Sequence, residues 1–284
     1  MLAAPPPRHG IVTDDVPSVV GLIQSVTTEP PAFAVVPLSE AHAGAGWTET
    51  HVFISSDSLA DAAPLVSDAA KRHRLGGLVV GIDEPEWFPQ VLHRSGLRTQ
   101  RKTLLHDPGD SAERRRLLHA LHVDARDALV ARVRVEGDTL VALTCALETL
   151  RVPFEAHPAL RRLPESARRD VELSEMGHRL SWLGGRVEVD LDGLRYAVDP
   201  AYRAAVDLDA TVQNAVYGAA VRALRLEHGL RQADVPGLSE RQVRRVERDG
   251  TTSLDALRAL ADAHSLPLDA YLDALADRAA GLDL

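Results

Sequence analysis

A short charged segment near the C-terminus carries the residues with the clearest potential for chemistry. Val243 and Val246 recur at helical spacing and would face inward, so the polar residues between them would face outward. Arginine can form two hydrogen bonds with guanine, at O6 and N7, and glutamine can form two with adenine, at N6 and N7. A short helix fits the major groove of DNA. The outward-facing candidates, with the residue that would cap the helix, are Ser239, Glu240, Arg241, Gln242, Arg244, Arg245 and Arg248. A solvated charged face is the alternative interpretation, and periodicity alone does not separate the two.

The charge distribution confines any contact with DNA phosphates to one patch. The whole chain carries a net charge of −9, the wrong sign for a protein coated in nucleic acid. From Arg222 to Arg248, however, the sequence contains seven arginines and four acidic residues, which gives a local net charge of +3. Aromatic residues make up only 4% of the chain, which argues against modules that stack successive bases on aromatic rings.

Short helices are predicted to position this patch. An apolar stripe from Val216 to Leu224 ends near Gly229, and a very short second helix is predicted over Gln232–Val235. Ser239 is a good N-cap for a third helix, Glu240–Arg248, which Gly250 would end. Two further helices follow, after Ser253 and from Pro267. The pattern predicts an all-α domain over residues 211–284.

This order of motifs resembles the lambda-repressor-like (XRE-type) helix-turn-helix family. The matching runs are Arg225-Leu-Glu-His-Gly-Leu-Arg-Gln232 and Leu238-Ser-Glu-Arg-Gln-Val-Arg-Arg-Val-Glu247, followed by Gly250. The resemblance implies that the third helix reads bases, that Gln232 and Arg248 position the domain on phosphates, and that Arg225 pairs with Glu247. Gln232 and Ser239 are seven residues apart, about three fewer than is usual in the family, which implies a shortened second helix.

The chain before this region divides by pattern into three segments. Strand-like runs alternate with helical patterns over residues 1–108, which predicts an α/β domain. The charged stretch within residues 109–127 is predicted to form a helical linker. Residues 128–200 predict a small α+β domain, with strands at Leu129–Val135, Thr139–Leu147 and Leu150–Phe154, a helix over Pro158–Arg169, and three shorter strands.

Two weaker resemblances concern these upstream segments. Gly177-x-x-Leu-Ser-Trp182 and the run from Val187 to Leu194 are similar to a small bacterial family of unknown function, DUF-2442. The first segment resembles part of a GNAT-superfamily acetyltransferase through Thr50–Ile54, Gly77–Asp83 and Glu86-Trp-Phe88. In that superfamily a glycine-rich turn holds the coenzyme A pyrophosphate. Ser56–Ala62 stands in that position without a glycine and with two acids, so a degenerate fold without acetyl transfer is expected.

Other potential sites are less convincing on their residue types. His119 and His122 lie three apart on a predicted helix, but no third metal ligand follows them. Ser55, Ser56 and Ser58 lack the partner signature of a nucleophile, and the single Cys145 is interpreted as a small core residue. Asp190 and Asp192 are interpreted as helix-entry residues rather than paired acids. The sequence therefore predicts no catalytic residue, no metal and no cofactor.

Together these patterns predict a cytoplasmic, DNA-binding transcriptional regulator that acts as a homodimer on double-stranded DNA. The upstream domains would serve sensing or assembly, with an effector that the sequence does not identify. The first ten residues lack the apolar region of a signal peptide, and no apolar run approaches the roughly 20 residues needed to cross a bilayer. Two alternatives remain open: an N-acyltransferase built on the first domain, and a protein-interaction adaptor whose helix-turn-helix no longer binds DNA.

Overall fold

The computed structural model describes residues 9–29, 33–41, 47–83, 86, 88–98 and 100–282. Most of the segment considered for a signal peptide, and Trp87 of the acetyltransferase-like motif, lie outside these residues. The chain forms two compact units, one ending at Val198 and the other beginning at Asp199. Within the described residues, no helix is both long and apolar enough to traverse a bilayer.

A five-stranded parallel sheet forms the centre of the first unit. Its strands and the helices between them are β1 (His9–Thr13), α1 (Val16–Val26), β2 (Phe33–Pro37), β3 (Glu49–Ser55), α2 (Leu59–Lys71), β4 (Leu75–Gly81), α3 (Phe88–Arg94) and β5 (Thr103–His106). The strand order is β2-β1-β3-β4-β5, and every pairing is parallel. The central strands are almost wholly buried, as is usual when helices cover both faces of a parallel sheet. This order is that of a doubly wound α/β fold, in which the carboxyl ends of the strands share one edge.

The segment predicted as a linker is instead part of the core. Helix α4 (Ala112–His122) buries Leu117, Leu118 and Leu121 in one cluster with Ile11 of β1 and Leu129. A linker would leave these side chains in water, and their burial removes a large apolar surface from solvent. The predicted boundaries at 108/109 and 127/128 therefore do not separate cores, because a single apolar cluster crosses both.

The remainder of the first unit contains two small antiparallel sheets. Their elements are β6 (Val130–Glu136), β7 (Thr139–Thr144), β8 (Thr149–Pro153), α5 (Pro158–Arg161), β9 (Glu172–Leu173), β10 (Leu180–Trp182), β11 (Val187–Val189) and α6 (Leu191–Val198). The strand orders are β6-β7-β8 and β11-β10-β9. The helix predicted over Pro158–Arg169 ends at Arg161, because Pro164 cannot continue it, and only a 3-10 turn follows at Glu165–Ala167.

The second unit is all helical. It contains α7 (Pro200–Glu227), α8 (Glu240–Asp249), α9 (Leu254–Ala263) and α10 (Leu268–Ala280). Helix α7 begins at Pro200, eleven residues before the predicted start of this domain at 211, because Asp199 caps it through the Ala201 and Tyr202 amides. The predicted second helix is a 3-10 turn at Gln232–Asp234. The overall class is thus mixed: a parallel α/β sheet, two small antiparallel sheets and a separate group of C-terminal helices.

Candidate nucleic-acid interface

Helix α8 is defined by well-formed caps at both ends. The Gln242 amide N–H donates to Ser239 Oγ at 3.3 Å, and Gln242 Oε1 accepts from the Ser239 amide at 2.8 Å, which forms a capping box. At the other end Gly250 takes a left-handed conformation, with a φ of 67°, and its amide N–H donates to the Val246 carbonyl. A helix of ten residues with both ends satisfied fixes the backbone positions from which its side chains project.

One face of α8 is buried and the other is charged and exposed. Val243 and Val246 enter the core formed with α7, α9 and α10, as the spacing predicts. All the other predicted base-reading or phosphate-contacting residues of the helix are exposed: Glu240, Arg241, Gln242, Arg244, Arg245 and Arg248. Their exposure agrees with the helical spacing of Val243 and Val246.

The arginines on this face differ in how far they are already paired. Arg248 donates to the adjacent Asp249, with Nε and Oδ1 2.5 Å apart. Within the part of the chain that the structure describes, Arg241, Arg244 and Arg245 have neither an ion pair nor a side-chain hydrogen bond. These three guanidinium groups retain all of their donors for an external anion or base edge.

Three of the predicted polar contacts are instead used inside the protein. Gln242 Oε1 also accepts from the Ser239 hydroxyl, at 2.7 Å, so both side chains serve the helix cap. A bidentate adenine contact needs the glutamine oxygen as an acceptor, and the cap already occupies it. Gln232 Nε2 donates to Glu247 Oε2 at 2.7 Å, which links the 3-10 turn to α8.

A buried polar network holds α8 against α7. Arg225 and Glu247 form the expected ion pair, with Nε and Oε1 2.5 Å apart and each side chain only 6% exposed. Arg225 Nη1 also donates to the Leu230 carbonyl, while Gln232 donates to the same carboxylate. The network thus links α7, the 3-10 turn and the last turn of α8, and it confirms the predicted Arg225–Glu247 pair.

Two glycines allow the backbones of α7 and α8 to touch. A Cβ at Gly218 would lie 2.5 Å from the Glu247 carbonyl oxygen, and one at Gly250 would lie 1.8 Å from the Asn214 carbonyl oxygen. Neither distance is compatible with a side chain. The glycines therefore set the separation of the two helices, a role that the sequence analysis missed for Gly218 although it lies within the apolar stripe of α7.

A shallow groove runs beside α8 toward the start of α9. Arg245, Gln242, Thr251 and Thr252 line it, together with Ser253, whose hydroxyl caps α9 by accepting from the Ala256 amide at 3.3 Å. Exposed helix N-termini and an arginine both favour a phosphate. Asp255, in the first turn of α9, opposes one.

The local positive balance is concentrated on α8 by internal pairing. Arg225, Arg231 and Arg248 are paired within the second unit, with Glu247, Asp234 and Asp249 respectively. Glu227 is paired with Arg278. Among the described residues, Arg241, Arg244 and Arg245 are thus the unpaired arginines of α8, and Glu240 is the unpaired acid of this helix.

No protein-family model, curated protein or solved structure matches the chain.

The first unit has its own concave site, at the carboxyl edge of the parallel sheet. Thr13, Asp14, Ser55, Gly81 and His106 line a cleft there. Ser55 donates both its amide and its hydroxyl to Asp14 Oδ2, at 2.9 and 2.6 Å. Burial alone would raise the pKa of Asp14, but the hydrogen bonds from Ser55 and Ser58 outweigh it and lower the pKa. The Ser55 hydroxyl thus serves a carboxylate that stays ionised, which is not the arrangement of a serine nucleophile with a histidine base.

The remaining candidates from the sequence occupy structural positions. His122 Nε2 lies 3.1 Å from Thr27 Oγ1, and the His119 ring packs edge-on against His178, so the two histidines do not converge. Cys145 is buried, which raises the pKa of its thiol to about 12. Asp190 caps α6 by accepting from the Gly193 amide at 2.7 Å, as expected of a helix-entry residue.

Proposed function

We propose that the second unit binds double-stranded DNA through α8, as a helix-turn-helix domain of the lambda-repressor-like type, and that the protein regulates transcription. One observation carries the proposal: Arg241, Arg244 and Arg245 project unpaired from a short, capped helix whose inner face is fixed to the core. At the C-terminal end of α2, by contrast, Arg72 is paired with Asp68 four residues earlier. On α8 the donors are left for a partner that brings acceptors.

We propose different tasks for the residues of this surface. The three unpaired arginines carry base reading or phosphate contact, and Arg248 contacts phosphate once it exchanges Asp249 for DNA. Gln242 presents only its amide N–H groups, so its contribution is that of a donor. Ser239 and Gln232 act by holding the helix rather than by touching DNA.

The test is a selection of binding sites from random duplex DNA, followed by affinity measurements on the best duplex at two salt concentrations. An arginine that reads a base costs about 1–3 kcal/mol when replaced by alanine and relaxes the preference at one position. An arginine that contacts phosphate weakens every sequence alike and lowers the salt slope by about one unit. Arg162→Ala, an exposed arginine of the first unit, removes the same charge and is the matched control.

The result would decide between DNA binding and the adaptor alternative. If Arg241→Ala, Arg244→Ala and Arg245→Ala all bind the selected duplex as the wild type does, α8 is not the reader. The same holds if the selection enriches no sequence. The three-residue 3-10 turn in place of a full second helix favours the adaptor in that case, because it shortens the scaffold that would cross the DNA backbone.

We also propose that the protein binds DNA as a homodimer. A single helix of ten residues offers a small contact area, and regulators of this type gain affinity by joining two half-sites about one helical turn apart. Helix α10, which exposes Leu272, and the small β-sheets of the first unit are the candidate interfaces. Sedimentation at micromolar concentration, with and without the selected duplex, would refute dimerisation if it gives only monomer.

A further inference from the structure

Three side chains at the amino edge of the parallel sheet converge in a way that the sequence did not reveal. His9 begins β1, and Glu49 and His51 lie two residues apart on β3, so all three share one face of the sheet. The register pairs His9 directly with Glu49, and His51 with Ile11, two residues further along β1. Within the described residues, this is the one group of three histidine, cysteine or acidic side chains with metal-ligand spacing.

The distances between the potential ligand atoms match a small metal ion. His9 Nδ1 lies 3.4 Å from Glu49 Oε2, and His51 Nε2 lies 3.7 Å from the same oxygen. A tetrahedral zinc ion with bonds of 2.0–2.2 Å separates its ligand atoms by about 3.3–3.6 Å. All three ligand atoms lie within 4.8 Å of one another, so one ion could reach each of them after small side-chain movements.

His51 is oriented into this cluster and has an unused ring nitrogen. Its Nε2 is buried, the residue is only 5% exposed, and no hydrogen-bond partner for this atom exists among the described residues. Buried polar atoms nearly always have a partner, which makes this nitrogen a candidate for coordination.

The backbone of β4 is shaped to hold the His51 ring in place. The pairing of β3 with β4 skips Gly76, which forms a bulge opposite His51. A Cβ at Gly76 would lie 2.2 Å from His51 Cε1, so any other residue would displace the ring.

Arg126 supports the carboxylate without excluding a metal. Its Nη2 lies 2.7 Å from Glu49 Oε2, and this ion pair holds the carboxylate in position. An ionised carboxylate has about four lone-pair sites, so Glu49 can accept from Arg126 and still ligate an ion. Ligating carboxylates in metal sites are commonly hydrogen-bonded in this way.

We propose that His9, Glu49 and His51 bind one divalent transition-metal ion of the zinc class and so tie β1 to β3. Two imidazoles and one carboxylate form a ligand set that zinc accepts, with one position left for water. The site lies at the amino edge of the sheet, opposite the edge where doubly wound folds bind substrates, and both histidines are buried. The proposed ion would join β1 to β3 away from that edge, and the proposal is independent of DNA binding by the second unit.

The experiment uses the full chain, freed of metal with a chelator and then titrated with zinc in a calorimeter and in a melting assay. One equivalent of zinc should bind and, at a hundredfold excess over its dissociation constant, raise the melting temperature of the first unit by about 5–10 °C. His51→Gln should weaken binding at least about 100-fold, since even the loss of an outer hydrogen bond costs 10–100-fold. His119→Gln, which removes a histidine outside the cluster, should bind zinc as the wild type does.

Several results would overturn the proposal. It fails if the wild type binds well under one equivalent, if His51→Gln binds zinc unchanged, or if His119→Gln abolishes binding. Should His51→Gln not fold without metal, Glu49→Gln replaces it, because this variant keeps the side-chain shape while removing the ionised ligand. Wild-type affinity retained in Glu49→Gln would count equally against the site.

Discussion

Replacing Glu247 by alanine should destabilise the second unit severely. The change leaves the Arg225 guanidinium at 5% exposure without its counterion, and it also removes the acceptor of the Gln232 amide. Breaking one partner of a buried ion pair costs roughly 3–5 kcal/mol, because the remaining charge stays desolvated. The loss should therefore be far larger than for an exposed pair.

The size of the expected effect can be converted to a melting temperature. The second unit has fewer than 100 residues, a size at which 1 kcal/mol shifts the midpoint by roughly 4–8 °C. Glu247→Ala should thus lower the midpoint of this unit by at least about 12 °C, which scanning calorimetry on the full chain would resolve. Arg248→Ala breaks the exposed pair with Asp249 and is the matched control, with an expected cost of about 0–1 kcal/mol.

A double-mutant cycle separates the ion pair from general damage to the helix. Arg225→Ala combined with Glu247→Ala should cost much less than the two single changes added together, since the second change removes the charge that the first one stranded. The reasoning fails if Glu247→Ala shifts the midpoint no more than Arg248→Ala does. It also fails if the two single costs are additive.

Three further predictions concern single sites. Gly218→Ala should destabilise the second unit by about 1–3 kcal/mol, because the added Cβ would meet the Glu247 carbonyl. Helix propensity alone would instead favour alanine by about 0.5–1 kcal/mol. Urea denaturation that shows stabilisation would contradict the close approach. His264 is buried with Nδ1–H donating to the Leu260 carbonyl, and burial lowers its pKa below 6.5. The unfolded chain therefore binds the proton more readily than the folded chain. The contribution of His264 to the free energy of unfolding is complete above about pH 6.5 and decreases as the pH falls below that value. This decrease should be smaller in His264→Asn. Burial raises the pKa of Cys145 to about 12. At pH 8 the thiol should therefore react with a disulfide reagent on the order of 100–1000-fold more slowly in the native protein than in denaturant. Equal rates would show that the thiol is exposed.

Local patterns in the sequence were sufficient for most elements and for the exposed face of α8. Alternation and buried apolar runs placed the strands of the first unit within a few residues, and the serine and glycine at the ends of α8 fixed its bounds. The error at α4 has a physical cause. Its three consecutive arginines suggested solvation, yet Leu117 and Leu121 share one face with Leu118 beside them, and a helix needs only one apolar face to enter a core.

Features that depend on contacts between distant segments could not be obtained this way. His9 and Glu49 are neighbours only because β1 and β3 pair in one particular register, and no local pattern specifies that register. The same holds for Gln232, whose amide is used by a carboxylate fifteen residues further along the chain. The expected Arg225–Glu247 pair, by contrast, followed from a family resemblance that already contains such distant information.

The glycine contacts between α7 and α8 have a consequence for adaptability. A Cβ at Gly218 or Gly250 would collide with a carbonyl oxygen of the facing segment, so no side chain lies between the two backbones at these points. No rotamer change there can therefore accommodate a tilt of α8 relative to α7. If the second unit binds DNA as proposed, α8 would meet its binding site as a rigid element, and the DNA would have to accommodate a mismatch of a few tenths of an ångström. Sequences whose groove width or bendability already suits this element would bind better even at base pairs that no side chain touches.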